Sequence, residues 1–89
     1  MPREQQQIEV ICVCDTRGMV RPLRFRFEDP EHQLQVLDIQ EILYEKSIEY
    51  VGIEAILYGC RVIWEGQEHL FELRYTIRSI KWVITRVLY

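Results

Sequence analysis

Phe71-Glu72-Leu73-Arg74-Tyr75-Thr76 is followed, after a polar break at Arg78-Ser79, by Lys81-Trp82-Val83-Ile84-Thr85-Arg86-Val87-Leu88-Tyr89. This stretch carries the clearest strand pattern in the chain. In its first part apolar and polar residues alternate with period two, the pattern of a strand with one buried face. The second part is β-branched and aromatic and runs to the chain terminus. A terminus this apolar reads as one tied into a sheet. Together they form a hairpin with Phe71, Leu73 and Tyr75 opposite Trp82, Ile84 and Val87 in a common core. Strict alternation from Ile84 would bury Leu88 rather than Val87, which predicts a bulge near Thr85-Arg86.

The same pattern recurs upstream. Glu54 to Trp64 puts Ile56, Tyr58, Cys60, Val62 and Trp64 on one face. Gly59 within it marks a bulge or a close backbone approach. Ile8 to Cys14 forms a first strand, and Asp15-Thr16-Arg17-Gly18 has the residues of a type I turn. In residues 19–28, Leu23, Phe25 and Phe27 alternate with Arg24, Arg26 and Glu28. Pro22 lacks a ladder donor, so this strand is at an edge or kinked near its start. Glu28 to His32 is the next connection.

Two readings compete in the middle. Ile39, Ile42, Leu43 and Lys46 fit helical spacing with Asp38 as N-cap. Leu34 and Val36 instead continue an alternation that predicts a long bent strand from Gln33 to about Tyr44, and the β-like flanks favour it. Ser47 to Gly52 then reads as an irregular crossing. Six short strands joined mainly by short turns imply an all-β meander. Closing it removes open edges and gives a single antiparallel six-stranded barrel of SH3-like character. Residues 1–7 are expected to be a flexible segment and residues 8–89 the barrel.

The 89 residues suffice for one domain, and an apolar fraction of 48% supplies a core. No apolar run is long enough to span a membrane, and the polar start lacks a signal-peptide core, so a cytoplasmic location is expected. Three cysteines do not close a disulfide set, which fits a reducing compartment. Cys12 and Cys14 share a strand face with Ile8 and Val10, and they and Cys60 are expected to be small core residues. The competing reading is a three-thiolate zinc site completed by His32 or His69. It is disfavoured because structural zinc sites use a C-x₂₋₄-C knuckle on a turn. No metal or cofactor is expected.

Charge is segmental. Residues 1–27 carry five arginines against three acids, residues 28–60 eight acids against Lys46, and residues 61–89 five basic groups against three acids. The simplest meaning is solvated outer faces whose charges pair across strands.

Catalytic signals are weak. His32 and His69 each lie beside an acid near a turn, Ser47 and Ser79 lack a nucleophile-elbow context, and no phosphate-binding glycine loop occurs. Glu41, Glu45 and Glu49 have the spacing of a solvent face. Binding is the better-supported class, because Tyr44, Tyr50, Tyr58, Trp64, Tyr75, Trp82 and Tyr89 exceed what a small core easily hides. Trp82 is assigned to the core; Tyr58 and Trp64 suit either the core or a contact face. Arg24, Arg26, Arg74 and Arg86 would form a basic stripe if their strands were adjacent, although a pI near 5.3 weighs against nucleic acid.

The pattern Gly18-x₃-Pro22-x₂-Phe25, followed by Gln35-Val36-x₂-Ile39, Phe71-Glu72-Leu73-Arg74-Tyr75 and Lys81-Trp82-Val83-Ile84, resembles small uncharacterised bacterial all-β domains common in Gram-positive genomes. Some similar domains are encoded beside error-prone, Y-family-like polymerase genes. The resemblance covers most of residues 8–88 and implies a fold, with at most an accessory role near DNA repair. It carries over no catalytic residue.

The resulting expectation is a non-catalytic module that binds a protein or peptide, with no membrane association. The alternative is an accessory domain for single-stranded nucleic acid. The candidate surface comprises Arg24, Arg26, Tyr58, Trp64, Arg74 and Arg86.

Overall fold

A computed structural model describes residues 5–89. Every regular element is a strand: β1 (Gln6–Cys14), β2 (Val20–Glu28), β3 (Leu34–Tyr50), β4 (Ile53–Trp64), β5 (Gln67–Thr76) and β6 (Lys81–Val87). Each pairs antiparallel with the next, and β1 closes on β6 to complete a six-stranded barrel. Gln6 and Gln7 belong to β1 and pair with Ile84 and Val83, so the segment expected to be flexible is in part structural. Its residues 1–4 lie outside the described residues. At the other terminus, the Leu88 amide donates to the Leu70 carbonyl at 2.7 Å and the Leu70 amide to that of Tyr89 at 3.1 Å. The apolar C-terminus is tied down, as its composition implied.

The middle of the chain is strand throughout. Leu34 to Asp38 pairs with β2, whereas Ile39 to Tyr50 pairs with β4. Gln40 and Leu43 are skipped in the β3–β4 register. These two bulges bend β3 so that it serves both halves of the wall. Ser47 to Gly52 is not an irregular crossing: ladder pairing continues from Ser47↔Ile56 to Tyr50↔Ile53, and Val51-Gly52 is a two-residue turn. The bulge expected near Thr85 is present, because Glu72 pairs with Arg86 and Leu73 with Ile84, leaving Thr85 over. A further bulge at Leu23 adjoins Pro22, where β2 is bonded to β1 but not to β3. Proline is tolerated there because no ladder donor is required on the free side.

The core is built on aromatic rings. Phe71 lies 5.6 Å from Phe25 and 6.3 Å from both Phe27 and Trp64, measured between centroids. Tyr58 packs on Trp82 at 5.6 Å and donates its hydroxyl to the Val20 carbonyl, spanning the barrel from β4 to β2. Burial pushes the Tyr58 phenol up to about 12, with the Glu45 charge adding to it.

Cys12 and Cys14 are exposed, contrary to the core expectation; only Cys60 is buried. The β1–β6 ladder ends at Ile8, so beyond it β1 leaves the closed wall and continues with β2 as a two-stranded ribbon. The alternation that pointed both thiols inward is real, but that inward face has no opposite wall to cover it. Burial pushes the Cys60 thiol up to about 12. A native-state alkylation time course is therefore expected to label two thiols rapidly and the third only on unfolding. Rapid labelling of all three, read by intact mass, would contradict the barrel register.

Candidate functional site

The six residues singled out from sequence do not converge. Tyr58 is 0% exposed and Trp64 9%, so both are core and neither offers a contact face. Trp64 donates its indole nitrogen to Gln35 Oε1 at 3.3 Å, which satisfies the polar handle that suggested a surface role. Arg24 and Arg26 lie on β2, and Arg74 on β5 is three strands away in either direction around the ring. With β2 and β5 on opposite walls, the four arginines cannot form one stripe.

All four are also engaged, Arg86 with Glu72. Arg24 meets Asp38 at 2.5 Å, and Arg26 grips Glu9 with two bonds of 2.8 and 3.0 Å. Each guanidinium is held above its ordinary value by its carboxylate, and Arg26 holds Glu9 below the usual carboxylate range. Arg74 donates to Gln5 Oε1 at 3.2 Å. The pairing of outer-face charge is what a solvated sheet surface requires, and exposed pairs of this kind contribute little to stability.

Arg86 belongs to a less exposed network on the outer wall. The bulge at Leu43 brings Tyr44 opposite Gly59, where its ring covers the glycine. The Tyr44 hydroxyl donates to Glu72 Oε2 at 2.5 Å, Thr85 Oγ1 to Oε1 at 2.7 Å, and Arg86 Nη2 to Oε2 at 3.4 Å. Glu72 is the buried charged residue of the described chain. Burial opposes its ionisation, but these hydrogen bonds and the Arg86 charge outweigh that and hold the carboxyl below its usual value. Burial, reinforced by Glu72, pushes the Tyr44 phenol up to about 12.

A carboxyl depressed on folding contributes stability above its unfolded value, and that contribution is lost as pH falls through the folded value. Glu72→Gln is therefore expected to be less stable than the parent at pH 7, with the gap in Tm closing in acid below about pH 4. A gap independent of pH would assign the network no ionic role.

The histidines do not assemble a catalytic group. His32 Nδ1 lies 2.5 Å from Glu28 Oε1 on an exposed turn. His69 lies against Trp64 and Phe71 with Nδ1 3.1 Å from the Tyr89 carbonyl, at the edge of an open notch of about 410 Å³ between residues 29–31 and 64–67. Among the described residues no three His, Cys, Asp or Glu side chains are placed to share a metal ion.

Exposed apolar side chains also occur on the β1–β2 ribbon and at Leu34 and Val36, but one end of the barrel combines them with left-handed turn residues. The β3–β4 turn presents Tyr50, Val51 and Ile53, and the β5–β6 turn presents Ile77 and Ile80, all exposed. The Ile77 amide donates to the Glu54 carbonyl at 3.1 Å, which locks the two tips side by side. Tyr50, Val51 and Ile80 are 78%, 83% and 73% exposed. Val51 has φ 52° and Ile80 φ 57°, both left-handed. A β-branched residue in that region is a steric outlier costing on the order of 1–3 kcal/mol. The other two-residue turn, Glu65-Gly66, needs the same backbone but begins with a polar residue. Nothing in the periodicity of the sequence marks Val51 or Ile80, because a lone apolar residue in a turn carries no pattern.

Around this apolar end, Glu49 and Glu54 on one tip and Arg78 and Lys81 on the other form no ion pair among the described residues. No family model, curated protein or solved structure matches this chain.

Proposed function

We propose that the chain is a non-catalytic protein-binding module whose contact surface is the apolar end formed by Tyr50, Val51, Ile53, Ile77 and Ile80. The observation that carries this reading is the double cost at Val51 and Ile80. Each is strained in the backbone and exposed as a side chain, and on adjacent turns. Folding alone favours Asn or Gly at such positions, as in ordinary hairpin turns. Strain kept together with an exposed apolar cluster points to a surface used in recognition. The long bent β3, shared between two halves of the wall, supports an SH3-like description of the barrel. The two exposed thiols fit a reducing, cytoplasmic compartment.

The test is affinity capture from a lysate of the source cell, with the wild-type chain and the Val51→Asn/Ile80→Gly double variant as parallel baits. Proteins retained by the wild type and lost from the variant are the expected result. Identical profiles from both baits would reject the apolar end as the contact surface.

A further inference from the structure

The apolar end carries its own complement of charge. The β3–β4 tip bears Glu49 and Glu54 without ion partners, and the neighbouring β5–β6 tip bears Arg78 and Lys81 likewise unpaired among the described residues. The acidic tip also carries the exposed Val51 and Ile53, and the basic tip the exposed Ile77 and Ile80. Along the wall, Arg24 pairs with Asp38, Arg26 with Glu9 and Arg61 with Glu41, whereas Arg21, Glu45 and Lys46 form no ion pair among the described residues. What sets this end apart is the segregation of its charges by sign on two adjoining turns. An apolar end with two carboxylates on one tip and two cations on the adjoining tip is complementary to itself under a two-fold rotation. A second copy turned by 180° sets its basic tip on the acidic tip of the first, and its acidic tip on the basic one.

We infer that the occupant of the apolar end is a second copy of this chain, in an isologous dimer that pairs Glu49 and Glu54 of each protomer with Arg78 and Lys81 of its partner. The inference rests on the reading of this end as a contact surface and names the partner. Two turn tips make a small interface, so the dimer is weak, roughly micromolar or above in dissociation constant.

Sedimentation velocity on the full chain, from about 5 to about 500 µM, measures this directly at that affinity. The wild type is expected to pass from monomer to dimer across the range, and Val51→Asn/Ile80→Gly to remain monomeric while retaining the wild-type circular dichroism spectrum. Glu54→Lys and Arg78→Glu, each alone, place like charges together twice per dimer and are expected to weaken association roughly tenfold. Mixed in equal amounts, those two variants restore opposite charges at both contacts, so the mixture should associate more tightly than either alone.

A wild type that stays monomeric throughout would overturn the inference. So would a mixture no tighter than its components, or a dimer indifferent to the double substitution. A monomeric wild type whose captured proteins still depend on Val51 and Ile80 would refute self-association while leaving the contact surface in place.

Discussion

Phe71→Ala is expected to cost about 4 kcal/mol, the range for truncating a fully buried Phe. A domain of this size has stability on the order of 5 kcal/mol, so the variant should keep only about 1 kcal/mol and populate a substantial unfolded fraction at 37 °C. Phe71 is fully buried, and its ring touches those of Phe25, Phe27, Trp64 and His69. Removing it leaves a void bordered by three strands, which a closed wall cannot collapse to fill. Phe71→Leu keeps most of the volume and should lose less than half as much. Urea titration of both variants measures the difference; equal losses would mean that ring packing contributes little beyond volume.

Gly59→Ala is expected to destabilise by about 2–3 kcal/mol, although alanine is ordinarily better than glycine within a strand. An added Cβ would lie 2.1 Å from Tyr44 Cε2 and 2.4 Å from Cδ2. The ring must leave, taking with it the hydroxyl that hydrogen-bonds Glu72, and a carboxylate that loses a donor in a buried place is costly. The double substitution Gly59→Ala/Tyr44→Ala separates the ring from the glycine. With the ring already gone, adding the methyl should cost nothing or stabilise slightly. Additive losses in that cycle would show that the glycine is required for a reason other than the ring.

These two residues illustrate what could be read in the chain. Phe71 was legible because strict alternation places it inward, and the same rule found all six strands and the bulge at Thr85. Gly59 was legible as a close approach, but its partner was not. Tyr44 reaches it only because Leu43 bulges out, and that bulge, with the one at Gln40, breaks the period of β3. The broken period is also why Ile39, Ile42 and Leu43 mimic helical spacing and why the strand could not be followed to Tyr50.

Cys12 and Cys14 failed for a different reason. Their alternation is intact, but burial also requires an opposite wall, and where β1 parts from β6 is set by register between the two ends of the chain. The arginines failed through topology: an outer-face position is a local property, whereas adjacency around a ring is not. The candidate surface was hidden because its distinguishing property is backbone strain at Val51 and Ile80. Composition records neither the sign of φ nor the coincidence of two turns at one end.

The claim that this end is kept for recognition at the expense of stability is tested most directly by the equilibrium unfolding free energy of Val51→Asn/Ile80→Gly relative to the wild type. Relief of two strained turns predicts a gain of about 2 kcal/mol, equivalent to a rise in Tm of roughly 8–16 °C for a domain this small. A variant no more stable than the wild type, or less so, would mean that Val51 and Ile80 serve the fold, and the apolar end would lose its claim to be a binding surface.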